Sequence, residues 1–238
     1  MLSLISTPIG NLDDISLRAI DVIKSADFIY TEDTRSFKKI LDSIECKKKC
    51  KSFHEHNEDI ICKEIIKHLK NKKHVVLTCE AGTPAISDPG YKLIRECLNL
   101  NLKYTLIPGP SSLINAVVLS GLPTDKFSFY GFIPKKNNAQ QKLFQKVSND
   151  EKTAIMFESV KRLRKTIISI SKHLDNNRNI SVCREMTKIH EQIVQGNCED
   201  LLKKIDDGSL PSKGEIVRVI EGHSTNNINL NLENNLKY

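Results

Sequence analysis

The stretch CEAGTPAISDPGY, residues 79–91, follows an apolar run at 74–78 and places Gly82, Pro84, Pro89 and Gly90 in one loop. Proline fixes φ and removes an amide donor, whereas glycine permits positive φ and lets a ligand approach the backbone. A loop this stiff at the carboxyl end of a buried strand is where α/β proteins hold ligands. The arrangement recurs in TPIGN (7–11), EDTR (32–35) and PGPSS (108–112), each placed after a strand-like run. In a parallel sheet all of these loops open on the same edge and line one cleft.

The first half alternates strand and helix patterns. Residues 2–6, 26–31, 51–54, 74–78 and 103–107 read as strands, with helices over 14–24, 37–41, 59–70, 91–100 and 112–120. Such alternation predicts an α/β fold with a mostly parallel sheet and helices on both faces. Gly121-Leu122-Pro123 interrupts the pattern and marks a boundary. Beyond it, strands at 127–132, 153–157, 180–183, 192–195 and 216–220 lie close together, with helices at 140–147, 161–173 and 199–205, so a mixed sheet is expected. The expected domains are 1–120 and 121–223, followed by an Asn-rich polar tail at 224–238.

With 39% hydrophobic and 27% charged residues the chain is ordinary globular material. No apolar stretch reaches membrane-span length, and the chain opens directly into a strand-like run with no leader pattern. The seven cysteines contain no CxxC pair and fit free thiols in a reducing cytoplasm. A net charge of +7 permits a polyanionic partner. Basic residues cluster at Lys47-Lys48-Lys49 with Lys51, at Lys135-Lys136, and at Lys161, Arg162, Arg164 and Lys165. Each run is a solvated surface or a phosphate-contacting one.

Several chemistries lack their residues. GxGxxG and GxxxxGK[ST] are absent, so neither a dinucleotide nor a triphosphate cradle is expected, and GxSxG is absent as well. His54-Glu55-His56-Asn57-Glu58 tempts a metal reading, but no second ligand cluster accompanies it, so a polar turn and no metal are expected. Arg184-Glu185-Met186-Thr187-Lys188, with Glu191, follows a strand and forms either a salt-bridged corner or a second wall of the cleft.

TPIGNLDDISLRA, EDTR, AGTPAISDPGY, PGPSS, SGLP, GFIPKK, FES-x-KR, RE-x-TK-x-x-E and a late GE occur in this order. Together they resemble the ribosomal small-subunit RNA ribose-2′-O-methyltransferase I family, of the tetrapyrrole (class III) methylase superfamily, over residues 2–221. The family's SDAGTP reads CEAGTP here, with Cys79 and Glu80 as the changed residues, and its ESPHR reads ESVKR, with Lys161 in place of histidine. The extra C-terminal helical segment of many members has no counterpart in this sequence, which implies less RNA-docking surface.

The resemblance implies two α/β domains with S-adenosylmethionine in the cleft between them, acting on the ribose 2′-oxygen of a decoding-centre cytidine in 16S rRNA. It implies a cytoplasmic enzyme, expected as a homodimer. By the same resemblance Pro8, Gly10, Asn11, Thr83, Pro84, Ala85, Ile86, Ser111 and Ser112 contact the cofactor, with Phe157, Arg184, Gly214 and Glu215 from the second domain. Candidates for a base or ribose-orienting group are Asp33, Asp88, Glu185 and Lys188, beside Glu32. Two alternatives stand beside it: a methylase of a tetrapyrrole ring carbon, and a non-catalytic RNA-binding or assembly module.

Overall fold

The structure is a computed structural model and describes residues 1–223; the expected polar tail lies outside the described residues. The first sheet has the order β3-β2-β4-β1-β5, and its strand pairs are all parallel. Its strands are β1 (Leu2–Ile5), β2 (Phe28–Thr31), β3 (Cys50–Ser52), β4 (Val75–Thr78) and β5 (Tyr104–Ile107). The helices α1 (Leu17–Ser25), α2 (Thr34–Ser43), α3 (Glu58–Lys70), α4 (Tyr91–Asn99) and α5 (Ser112–Leu119) alternate with them. The side-chain period of two divides each strand between two cores. Leu2, Leu4, Tyr30, Val75 and Leu77 pack with Ile65, Leu69 and Leu93 of α3 and α4. Ile5, Ile29, Val76 and Ile107 face Ile23 of α1 and Phe37 and Leu41 of α2. Central β1 and β4 are buried at every position, which is why they read as continuous apolar runs.

The second sheet has the order β6-β7-β10-β8-β9. It comprises β6 (Phe127–Phe132), β7 (Thr153–Ser159), β8 (Ile180–Arg184), β9 (Gln192–Gly196) and β10 (Glu215–Ile220), with α6 (Asn137–Ser148), α7 (Leu163–Ile170) and α8 (Cys198–Asp206). β6 runs parallel to β7 and β10 antiparallel to it, so the sheet is mixed. Its core joins Met156, Ile216 and Ile220 to Phe144, Ile167 and Leu201 of the three helices.

The chain divides into Met1–Leu119 with Cys183–Gln192, and Ser120–Val182 with the remainder. The connection between β8 and β9 therefore groups with the first unit. This corrects the placement of Arg184, Glu185 and Lys188 in a second domain. The sequence assigned them by the strand they follow; in the structure Met186, Thr187 and Lys188 of the same connection approach Gly10 in the loop after β1.

A charged side chain lies fully inside this core. Arg218 on β10 is fully buried, and none of its guanidinium nitrogens forms a hydrogen bond among the described residues. Desolvation pushes its pKa down to about 10. The neighbouring acid, Glu158, is engaged elsewhere: Thr166 donates to it at 2.6 Å and Arg162 pairs with it at 3.5 Å. Burying a charge without full pairing costs more than a hydrophobic isostere at the same place. Arg218→Met is therefore expected to stabilise the protein by about 1–4 kcal/mol, read as a rise of several degrees in the melting midpoint. A lower midpoint would show that Arg218 holds Glu158 in place after all.

Candidate functional site

Three strand-end loops are knitted together at the carboxyl edge of the first sheet. Thr7 and Gly82 exchange backbone hydrogen bonds at 2.9 and 3.0 Å, joining the loops after β1 and β4. Ser6 and Thr83 share a hydroxyl–hydroxyl bond at 3.1 Å, and the Thr83 hydroxyl lies 3.5 Å from the Pro110 carbonyl. A Cβ on Gly109 would come within 3.2 Å of the Ser6 carbonyl oxygen, so glycine there lets the β5 loop close onto β1. Gly82 (φ +84°), Ala85 (φ +66°) and Ser87 (φ +63°) all lie in the left-handed region. Left-handed conformations at non-glycine residues persist only where the surroundings enforce them, and they concentrate at binding sites.

The enforcing residue is one that sequence reading missed. Glu58, buried at the start of α3, accepts from the Gly90 N–H at 3.0 Å and lies 3.7 Å from the Lys92 ammonium. It pins the far end of the 81–90 loop. Its place inside a charged run, ahead of a helix, gave no signal that distinguished it from a solvated first-turn acid. The neighbouring His54 N–H bonds to the Asn57 side chain at 2.9 Å, closing a turn into α3.

Acidic groups gather beside the same loop. The Asp88 carboxyl is pushed up to about 6 by burial, reinforced by the Glu32 and Glu80 carboxylates and offset by the Cys79 thiol. Burial likewise raises Glu32, whose carboxylate accepts from the Glu80 N–H at 3.4 Å. The Cys79 thiol is buried, raised well above the usual thiol range, and directed at the Ala81 and Gly82 carbonyls at 3.4 and 3.2 Å. It is a packing residue in the place where the family has a small polar one.

The folded state holds the Asp88 proton more tightly than the unfolded chain, whose value is 3.8. That stabilisation is fully present below about pH 4 and is lost as pH rises through about 6. Melting midpoints are expected to fall between about pH 4 and 6 relative to Asp88→Asn, leaving the asparagine variant the more stable at neutral pH. Parallel curves would remove Asp88 from the buried acid group.

Asp33 caps a helix. Its side chain accepts from the Arg35 and Ser36 N–H groups at 2.7 and 3.4 Å, capping α2, and these bonds hold its carboxyl below the usual range. A capping carboxylate held below its usual range is a weak base.

Glu185 and Lys188 sit on a strap, residues 183–192, laid across the β1 loop. Asn11 donates its N–H to the Thr187 hydroxyl at 3.1 Å, and the Cys183 thiol lies 3.6 Å from the Ala116 carbonyl of α5. Within the strap the Thr187 N–H bonds to Glu191 at 2.7 Å, and the Lys188 ammonium pairs with Glu185 at 3.1 Å. Glu185 (φ +48°) and β-branched Thr187 (φ +63°) are both left-handed, a conformation held against steric strain. Gly10 makes the contact feasible. A Cβ there would lie 2.5 Å from Lys188 Cγ and 2.9 Å from the Met186 carbonyl oxygen. Gly10 and Asn11 thus form the floor against which Met186, Thr187 and Lys188 rest.

In the second unit, Phe157 on β7 and Gly214–Glu215 at the start of β10 come to one edge of the sheet, because Glu215 is the register partner of Ser159. Lys135–Lys136 and Lys161–Lys165 share that edge: Arg162 donates to the Ile133 and Pro134 carbonyls at 3.1 and 2.8 Å, tying the ends of β6 and β7. Lys47–Lys49 lies elsewhere. It precedes β3 and so stands at the amino edge of the first parallel sheet, opposite the knitted loops, with Lys48 bonded to the Ala26 carbonyl.

Small side chains, left-handed backbone and a group of half-buried carboxylates suit a cationic ligand that fits closely against the chain. That set fits a sulfonium such as S-adenosylmethionine. The fold and site define a methylase of the tetrapyrrole type: the family model for Tetrapyrrole (Corrin/Porphyrin) Methylases matches residues 1–202. A solved structure of diphthine synthase superposes with a TM-score of 0.70 at 16% identity, covering 93% of this chain and 91% of that one. Among curated relatives, Ribosomal RNA small subunit methyltransferase I of Rickettsia prowazekii is 40% identical over 238 residues, covering 100% of this chain and 84% of the relative. The protein of the same name from Hydrogenobaculum sp. is 39% identical, covering 94% and 96%. The chain belongs to the ribosomal RNA small subunit methyltransferase I family.

Proposed function

We infer that this chain is an S-adenosylmethionine-dependent methyltransferase that acts on 16S rRNA of the small ribosomal subunit, methylating the ribose 2′-oxygen of a cytidine. Family membership across almost the whole chain carries this reading. It also favours this reading over the tetrapyrrole alternative, since the solved structures outside the rRNA group are alike at only 12% and 16% identity.

The cofactor supplies an activated methyl group on a sulfonium, so no covalent nucleophile is required of the chain. The chain contributes placement. We assign the cofactor to the knitted loops of the first unit, with Thr83, Pro84, Ala85, Ile86, Ser111 and Ser112 against it, and the Glu32–Asp88 carboxylates favouring its charge. Holding the ribose oxygen in line with the methyl carbon is the larger contribution, worth several kcal/mol as effective concentration. The Glu185–Lys188 pair, fixed by the strap, receives or orients the departing hydroxyl proton, a smaller factor of about a hundredfold or more.

Two further assignments concern partners and place. Exposed Tyr104 and Leu106 on edge strand β5, with Ile114, Val118 and Leu119 on α5, give an apolar surface suited to a second copy of the chain. Among the described residues no helix is long and apolar enough to cross a membrane, and the free thiols of Cys46, Cys50 and Cys62 suit the cytoplasm. The experiment that separates an enzyme from a pure RNA-binding module is thermal unfolding with and without S-adenosylmethionine or its demethylated product. A ligand that binds only the native state raises the midpoint in proportion to the logarithm of its concentration. An unmoved midpoint at millimolar ligand would contradict the reading.

A further inference from the structure

We propose that the edge of the second sheet formed by the ends of β6 and β7 docks a single-stranded segment of the RNA substrate, with Phe132 as the platform for one unstacked base and Lys135, Lys136 and Lys161 against its phosphates. The proposal rests on the rRNA reading above and names where the second unit grips that partner.

The argument begins with a bulge. β6 pairs with β7 in register through Phe129 and Ile155, then slips, so that Phe132 falls opposite Phe157. Gly131, at φ +67°, takes up the irregularity with a conformation other residues rarely adopt. Bulges of this kind re-aim a side chain at the rim of a sheet. Here the re-aimed residue is Phe132, which is 64% exposed although it belongs to a strand. Its ring meets Phe157 at 5.3 Å between centroids, and Phe157 in turn meets Phe129 at 4.9 Å, so the exposed ring is braced by one that is itself packed.

A lone exposed phenylalanine is unremarkable. This one lies at an end of the sheet where cations from two distant parts of the sequence follow the paired strands. Lys135 and Lys136 follow β6, Lys161 and Lys165 follow β7, and all four are exposed without an ion-pair partner among the described residues. The Arg162 guanidinium, bonded to the Ile133 and Pro134 carbonyls, holds the two strand ends together and keeps the lysines on one rim. Two of the acids nearby are engaged elsewhere. Glu158 is buried and engaged with Thr166 and Arg162, and Asp206 is held by Arg164 at 2.9 Å. Among the described residues Glu215 is the one exposed carboxylate at this end of β10.

A braced aromatic face within a lysine rim has the chemistry of a single-stranded nucleic-acid site: bases stack on the ring and phosphates meet the ammonium groups. Paired bases offer no free face, so an unpaired or splayed nucleotide is the occupant that fits. A hydrophobic protein partner would leave the lysines uncompensated.

The test is binding of the full-length chain to a fluorescent single-stranded RNA oligonucleotide across a salt series. Phe132→Ala is expected to weaken binding about tenfold or more with the salt slope unchanged, and Phe132→Tyr to restore it. Replacing Lys135, Lys136 and Lys161 by alanine is expected to flatten the slope by about 0.7 for each phosphate that is no longer neutralised. Phe132→Leu, which keeps the apolar packing on Phe157, guards against a merely structural effect and is expected to bind as weakly as the alanine variant. Binding within twofold of wild type for Phe132→Ala, or full binding by Phe132→Leu, would overturn the proposal while cofactor-dependent stabilisation of the wild type left the enzyme reading standing. A wild-type protein that bound no RNA would overturn both.

Discussion

Gly10→Ala is expected to reduce methyl transfer by a hundredfold or more while the protein remains folded. The added carbon would sit 2.5 Å from Lys188 Cγ, 2.7 Å from the Thr187 hydroxyl and 2.9 Å from the Met186 carbonyl oxygen. The lysine stem can swing aside, but a backbone carbonyl cannot, so the strap itself must move. An ångström of displacement in a positioning element costs about two orders of magnitude in rate. Glu185→Gln and Lys188→Met are expected to produce comparable losses, and combining either with Gly10→Ala should add little, because groups that act as a unit are not additive. Asp33→Asn, which keeps the α2 cap, is expected to stay within a few-fold of wild type. Single-turnover transfer at saturating cofactor is the measurement. Wild-type rates in a folded Gly10→Ala variant would show that the strap is structural only.

Ala85→Trp is expected to abolish cofactor binding, a loss of at least about a hundredfold in affinity, and to leave the fold intact. Ala85 already holds φ +66°, so a tryptophan inherits the same backbone strain and no β-branching is added. The penalty is volume: the indole would occupy the space that the small side chains of the 81–90 loop leave open. Its backbone is anchored independently, at one end through Gly82 to Thr7 and at the other through Gly90 to Glu58. Isothermal calorimetry reads the effect directly. Unchanged affinity in a folded variant would move the cofactor away from this loop.

Much of this was legible in the chain. The buried strands β1 and β4 announce themselves as apolar runs, and the Gly–Pro loops that follow are visible because backbone conformation is written in residue type. Local rules of that kind reach about as far as the next turn. They could not place Glu185 and Lys188, because the strap's position depends on a missing Cβ at Gly10, far away in sequence. Nor could they tell a helix cap from a catalytic acid at Asp33, or find Glu58, whose partner Gly90 lies across the fold. The basic runs illustrate the same limit. Composition treated Lys47–Lys49, Lys135–Lys136 and Lys161–Lys165 alike. Sheet topology separates them, sending the first to an amino edge and joining the other two through Arg162.

The central claim is that the knitted loops and the strap serve ribose methylation of 16S rRNA, and one measurement addresses it most directly. Small subunits from cells lacking this gene, incubated with the purified protein and S-adenosylmethionine, are mapped for 2′-O-methylation by resistance of the methylated linkage to alkaline cleavage. The account predicts one newly protected linkage, at a decoding-centre cytidine, appearing with wild-type protein and absent with Gly10→Ala. Methylation on a base instead of a ribose, or no new modification with folded, cofactor-binding protein, would contradict it.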